Sequence, residues 1–247
     1  MQSKLKNKVV IITGAGSGLG KEIANNCLEH NMKAVLVDKF FPSLPKTFNK
    51  ENILFFRIDI SSAKMIKMVV DETIKKFGRV DFLINNAGIA GPLAYINDYT
   101  DKDWDKIINT NLKSAFLFCK ECVNGMIKKR SGHIINISSV AGKNGLPYSS
   151  IYSASKGGMI AFSDAIKYEL KKFNIKIDVV CPGSMNTPFI YTIKTKGRLK
   201  NIFKPKKINR NRMLNPKDVA DIIIDLMVRP NKLFFDDIVI RSRNFKP

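Results

Sequence analysis

Tyr152 and Lys156 stand four residues apart, a spacing that puts both side chains on one face of a helix. A phenol with a pKa of about 10 is a poor base at neutral pH. An ammonium group beside it, together with the positive charge of an oxidised nicotinamide, would favour the phenolate. Such a phenol could exchange a proton with an alcohol or carbonyl oxygen while hydride moves to or from a cofactor. Ser139, thirteen residues before Tyr152, could donate a hydrogen bond to the same oxygen. Asn111 falls in the middle of a segment that reads as helix, where asparagine is a poor former, so its place suggests a role other than propensity. A tyrosine on an amphipathic helix is ordinarily a core residue. Together, Lys156, Ser139 and Asn111 favour chemistry instead.

A glycine-rich turn stands where this chemistry needs a cofactor. Thr13-Gly14-Ala15-Gly16-Ser17-Gly18-Leu19-Gly20 follows an apolar run and opens a helical one. In that context the backbone can approach a pyrophosphate, and the helix N-terminus offers free N–H groups to the anion. The next apolar run ends in Asp38, eighteen residues after Gly20. A carboxylate there can accept hydrogen bonds from both ribose hydroxyls and would repel a 2′-phosphate, so NAD is expected as cofactor. Lys39 follows it and leaves NADP as the alternative.

These residues need a scaffold that brings them together, and the periodicity supplies one. Short apolar runs at Val9–Thr13, Ala34–Val37, Ile53–Ile58, Val80–Ile84, His133–Ile137, Ile175–Val180 and Asp237–Ile240 read as strands. Between them, helices are expected from Gly18 to about His30, Ser62 to Phe77, Asp101 to Lys129, Tyr152 to Phe173 and Pro216 to Val228. Ser62 or Ser61 and Asn215 are the expected N-caps, with Pro216 at the first helical position. Strands apolar on both faces and separated by helices describe a parallel sheet covered on both sides. The expected fold is α/β: a single-domain, Rossmann-like, doubly wound sheet in three layers, spanning residues 1–247.

The spacing Thr-Gly-x-x-x-Gly-x-Gly resembles the short-chain dehydrogenase/reductase family, and the likeness runs from Lys8 to about Ile240. It takes in Asp59-Ile60, Asn85-Asn86-Ala87-Gly88, Asn111, Ser139, Tyr152 with Lys156, and Pro182-Gly183 with Thr187. The resemblance implies a catalytic set of Asn111, Ser139, Tyr152 and Lys156, with Asn111 holding a water that relays protons from the lysine. It places the cofactor against Gly14, Ser17, Gly18, Leu19 and Gly20, with Asp38, Asp59 and Ile60 on the adenosine side. Asn85, Asn86, Ala87 and Gly88 then follow the ribose, and Tyr152, Lys156, Pro182, Gly183, Met185 and Thr187 the nicotinamide half. It also implies a homodimer or homotetramer, with Ala115, Phe116, Ala161, Phe162 and Ala165 in the contact. The chain departs from the family pattern twice. Two prolines in Lys39-Phe-Phe-Pro-Ser-Leu-Pro45 replace the usual helix, and the ending Asp236-Asp-Ile-Val-Ile-Arg-Ser-Arg243 lacks the common glycines.

Composition narrows the alternatives. The 247 residues are 45% hydrophobic and 26% charged, which suits a globular chain and not a disordered one. No apolar run approaches the length that spans a bilayer, and the charge-free stretch between Asp178 and Lys194 is broken by Pro182, Gly183 and Pro188, so no membrane span is expected. The basic start Lys4, Lys6 and Lys8 leads into glycines and not a cleavage site. Four scattered cysteines point to reduced thiols in a cytoplasm, and Cys119 with Cys122 reads as core. His30 and His133 have no partners at metal spacing, so no metal is expected.

The net charge of +21 is either a lysine-rich composition or a signal for anionic partners. Nine basic residues and no acidic one fall between Lys194 and Arg212, inside a substrate lid expected at about 188–214. Leu146, Pro147 and Tyr148 either line the substrate pocket or simply pack a loop. The expected substrate is a small alcohol or ketone, anionic if the lid charge matters. A 3-oxoacyl thioester reductase is the alternative. A dinucleotide sensor or nucleic-acid binder that lost the reaction would not need the four catalytic residues, and no specific nucleic-acid partner is expected.

Overall fold

Val9–Thr13 (β1) is buried at every position, as a strand covered on both faces requires. The computed structural model describes residues 2–41, 50–202, 209–230, 233 and 235–243. After the short helix α1 (Gln2–Leu5) and β1 come α2 (Gly18–Glu29), β2 (Lys33–Asp38), β3 (Ile53–Arg57), α3 (Ala63–Phe77) and β4 (Phe82–Asn85). The chain continues through α4 (Asp101–Ile108), α5 (Ser114–Lys129), β5 (Gly132–Ile137), α6 (Val140–Lys143) and α7 (Ser150–Lys171). It closes with β6 (Ile175–Pro182), α8 (Leu199–Ile202), α9 (Pro216–Val228) and β7 (Asp237–Ile240). The strands form one parallel sheet in the order β3-β2-β1-β4-β5-β6-β7. The order reverses between β1 and β4, and a crevice opens there at the carboxyl ends of the strands.

Alternation along each strand divides the core. Ile12, Ile84, Ile135 and Val180 face one layer, where α2 and α9 contribute Ile23, Ala24, Val219 and Ile223. Ile11, Leu83, Ile134 and Ile177 face the other, with Val69 of α3, Phe118 of α5 and Leu170 of α7. Each of the Val, Leu, Ile and Phe side chains among them contributes about 1.5–3 kcal/mol by leaving water.

The helix starts follow local chemistry. Ser62 Oγ accepts from Met65 N at 3.4 Å, and Asn215 Oδ1 accepts from Lys217 N at 3.0 Å ahead of Pro216. Thr100 and Asp103 form a reciprocal capping box on α4. Where one helix from Asp101 to Lys129 was expected, a π-helical turn at Asn109–Lys113 separates α4 from α5. Helix α7 starts two residues early, so Tyr152 lies in its first turn. Most of the proline-containing stretch after Asp38 lies outside the described residues. Among the described residues, no helix is long and apolar enough to cross a membrane.

Candidate active site

The glycine turn joins β1 to α2 beneath the crevice. Gly14 adopts φ +66°, and a Cβ there would fall 2.8 Å from Asn86 Nδ2 and 2.9 Å from Ala87 Cα. Gly18, at φ +52°, lies where a Cβ would stand 3.1 Å from Thr187 Cβ. Only glycine suits both the backbone and the space. Ser17 precedes α2 in extended conformation and makes no side-chain cap, and no acidic residue occupies the first turn. The first N–H groups of α2 have no intrahelical acceptor, so the turn is a cradle suited to an anion.

Asp38 flanks this cradle. Its Oδ2 accepts from Gly16 N at 2.8 Å and its Oδ1 from Phe40 N at 3.0 Å. Lys39 Nζ pairs with Asp59 Oδ2 at 3.2 Å. Backbone and side-chain hydrogen bonds from Ser61, assisted by Lys39, hold the Asp59 carboxyl below its ordinary range against burial. Thr13, absent from the expected set, accepts at Oγ1 from Asn86 N and Ala87 N, both at 3.0 Å. Asn86 Nδ2 donates to Thr13 O at 2.9 Å. This mutual pairing clamps β1 to β4 where the sheet order reverses. The threonine that opens the glycine motif was the signal for it.

Three residues expected against the cofactor point elsewhere. Asn85 Nδ2 donates to Asn136 Oδ1 at 2.8 Å, and Asn136 Nδ2 donates to Ser163 Oγ at 2.8 Å. The Asn85 side chain thus ties β4 through β5 to α7 inside the protein. The alternation of a strand turns it away from the crevice. The Leu19 and Ile60 side chains are core residues, which leaves only their backbone groups to face a ligand. Pro182 ends β6, and Gly183 N donates to Ile240 O at 2.8 Å. Met185 is bridged to Leu214, and Thr187 closes over Gly18.

The four residues expected to be catalytic meet at the open side of β4 and β5. Asn111 occupies the π-helical turn; its Nδ2 donates to Ile89 O at 2.9 Å and its Oδ1 accepts from Ile89 N at 2.8 Å. The same Nδ2 donates to Ser155 Oγ at 3.0 Å, and Ser155 Oγ donates to Tyr152 O at 2.7 Å. The wider turn brings the Asn111 side chain out of the helix and against the loop after β4, a common use of π-turns. Gly88 is the meeting point: a Cβ there would lie 3.2 Å from Asn111 Oδ1 and 3.5 Å from Lys156 Nζ.

Lys156 Nζ donates to Ile137 O at 2.8 Å, and burial brings the ammonium down to about 8. Ser138 Oγ, also outside the expected set, donates to Lys156 O at 2.8 Å. Burial pushes the Tyr152 phenol above its ordinary value, and a hydrogen bond with Ser139 opposes it. Lys156, hydrogen-bonded to the Ile137 carbonyl, does not by itself offset that rise; the expected lowering joined it to the positive charge of an oxidised nicotinamide. Phe189, in the segment after β6, packs on the Tyr152 ring at a centroid distance of 6.0 Å.

The basic segment is partly neutralised. Lys196 pairs with Asp103, and Arg198 lies 3.6 Å from Asp98 and stacks over Tyr95. Burial would raise the Asp103 carboxyl, but Lys196 and Thr100 hold it down to about 2. Lys204, Lys206 and Lys207 lie outside the described residues. Elsewhere, burial pushes the Cys119 thiol up to about 12 and raises Cys122, which suits packing and not redox exchange. Among the described residues, no group of three or more His, Cys, Asp or Glu side chains could hold a metal ion.

Known proteins share this arrangement. The short chain dehydrogenase family model matches residues 8–197. A 3-oxoacyl-[acyl-carrier-protein] reductase of Thermotoga maritima is 33% identical over 228 residues, covering 90% of this chain and 91% of that protein. A CLA biosynthesis dehydrogenase/reductase of Lactiplantibacillus plantarum is 35% identical over 195 residues, 76% of this chain and 68% of that one. Among solved structures, ElxO with NADP bound superposes with a TM-score of 0.83 at 28% identity, covering 96% of this chain and 98% of that one. With the cradle, the clamp and the Tyr–Lys helix in place, these matches make the chain an oxidoreductase of the short-chain dehydrogenase/reductase family.

Proposed function

We propose that this protein interconverts a secondary alcohol and a ketone with a nicotinamide dinucleotide, Tyr152 acting as general acid/base. The carrying observation is the Tyr152 phenol, hydrogen-bonded with Ser139 one helical turn before the buried Lys156. A bound nicotinamide supplies or accepts the hydride, and its oxidised form adds the positive charge that would bring the phenol back down. Gly14, Ser17 and Gly18 would hold the pyrophosphate, Asp38 the adenosine ribose and Lys156 the other ribose, with Thr187 closing over the cradle. Ser139 orients the substrate oxygen, Tyr152 gives or takes its proton, and Asn111 keeps the loop after β4 in register with Lys156. A protein that only senses a dinucleotide has no use for this set of four.

Cofactor choice follows from Asp38. Its carboxylate is held at the turn by Gly16 and Phe40, and Lys39 is already paired with Asp59. A 2′-phosphate would meet like charge, so kcat/KM should favour NAD(H) over NADP(H) by about tenfold or more. Replacing Asp38 by Asn should narrow that ratio. Steady-state rates with both cofactors check this, and a native preference for NADP(H) would reject it.

A second reading, reduction of a 3-oxoacyl thioester on an acidic carrier, is favoured by the Thermotoga relative and the basic lid. Cations at a cleft mouth raise on-rates for anions and lose that effect in salt. Matched neutral and anionic ketones should then differ at low ionic strength and converge at high, and changing Lys204, Lys206 and Lys207 to Gln should erase the difference. Equal rates throughout would leave the charge as composition.

A homodimer or homotetramer through α5 and α7 remains our expectation. Ala161 and Ala165 are exposed, and Phe116 packs edge-on to Phe162 at 6.1 Å on the outer face. Tyr168, 79% exposed, extends the patch, whereas Ala115 is buried within the chain and offers no contact. Light scattering at micromolar concentration should report an assembly; a monomer would exclude one.

A further inference from the structure

Ser139 and the pair Tyr152–Lys156 stand on different elements, the turn after β5 and the helix α7, so contacts between the two must set their offset. Lys156 Nζ reaches Ile137 O at 2.8 Å, and the Tyr152 hydroxyl is hydrogen-bonded with Ser139. Both contacts are given up in the reaction proposed above, where the ammonium goes to a ribose and the Ser139 hydroxyl to a substrate oxygen. A third link involves no reacting group: Ser138 Oγ donates to Lys156 O at 2.8 Å. Helical geometry already gives that carbonyl the N–H of Ile160, so the serine does not rescue an orphaned acceptor. Its bond fixes position.

Ser138 is buried and is itself held from the sheet side, where its N donates to Val180 O at 2.8 Å. The Cys181 thiol is hydrogen-bonded with the Ser138 side chain and the Ser139 backbone. Gly142 lies against the same helical carbonyl: a Cβ there would fall 2.7 Å from Lys156 O, so α6 and α7 touch backbone to backbone. Resting on the alcohol–ketone reading above, we propose that Ser138 is a positioning residue that keeps the Ser139 hydroxyl in line with the Tyr152 phenol while Lys156 turns to the cofactor. Reacting groups tolerate little misplacement, about 1 Å costing on the order of 10² in rate.

Ser138→Ala removes the hydroxyl and leaves the bond to Val180 and the helical bond of Lys156 O in place. The test oxidises butan-2-ol and ethyl 3-hydroxybutyrate with NAD or NADP. In the variant kcat should fall about tenfold, while KM and nicotinamide affinity move by less than about twofold. Oxidation needs the phenolate, and the Ser139 hydrogen bond draws the phenol down against burial. The rising limb of kcat with pH should therefore move to higher pH, which a loss of packing alone would not do. In the Ser139→Ala background the same change should cost less than about twofold, since the alignment it maintains has gone. If the alanine variant does not fold, Ser138→Cys, of similar shape with a weaker donor, should move the limb the same way.

Unchanged kcat in the Ser138 variant, a limb that stays in place, or fully additive losses in the double variant overturns the proposal. Tyr152→Phe separates the two ideas. Full turnover in that variant, or no oxidation of either alcohol by the unmodified protein, would defeat the underlying reading. A dead Tyr152→Phe beside an unaltered Ser138→Ala would defeat this inference alone.

Discussion

Replacing Tyr152 by Phe should cut turnover by about 10² or more while the nicotinamide still binds. The phenyl ring keeps its place in the first turn of α7 and its contact with Phe189. Only the hydroxyl goes, and with it the proton exchanged with the substrate oxygen and the hydrogen bond to Ser139. Ser139→Ala should cost less, because it removes an orienting contact and leaves the proton donor. Binding followed by fluorescence of the reduced nicotinamide, beside steady-state rates, separates these effects. A Phe variant with near-normal turnover would take the acid/base role away from Tyr152.

The second large effect concerns stability at the opposite end of the sheet. Asp178 is fully buried between His133 Nε2 at 2.9 Å and Lys176 Nζ at 3.0 Å, and Lys176 is itself 2% exposed. Asp178→Ala leaves a buried ammonium, over the Phe235 ring at 5.3 Å, without its carboxylate, and should cost about 3–5 kcal/mol. Replacing both partners, Asp178→Leu with Lys176→Met, should return most of that loss, since neither charge then needs its neighbour. Urea titration of the three variants reads the difference. A double variant as unstable as the single one would show that volume, and not charge, is at stake.

The same cluster sets an acid limb. Burial would raise the Asp178 carboxyl, but His133 and Lys176 outweigh it and hold the group below its ordinary value. Its contribution is present above the unfolded pKa of about 3.9 and is lost as pH falls through the lower folded value. Burial lowers the His133 pKa against the pull of Asp178, so the fold favours neutral imidazole and loses stability as pH drops below about 6.5. Both changes run the same way. The double variant, without the carboxylate, should lose stability less steeply at the acid end.

Local chemistry made much of this protein legible before folding. The Ser62 and Asn215 caps, the turn of Gly14 and Gly18, and the four-residue step from Tyr152 to Lys156 depend on neighbours within a few positions. Seven apolar runs alternating with helical ones determined a parallel sheet with helices on both sides, because each period admits one way of burying its apolar face.

What remained depended on partners far along the chain. The π-turn at Asn109–Lys113 is matched by the hold of Asn111 on Ile89, twenty-two residues away, and helical periodicity carries no trace of that contact. Asn85 entered the interior because Asn136 and Ser163 were there to receive it. Lys196 and Arg198, indistinguishable in sequence from their basic neighbours, found Asp103 and Asp98 across the cleft. The left-handed Tyr148 has no local cause in its sequence, since a tyrosine does not choose that conformation by itself. Its carbonyl is held there by Ala94 and Tyr99, roughly fifty residues before it, and only the folded chain brings those donors together.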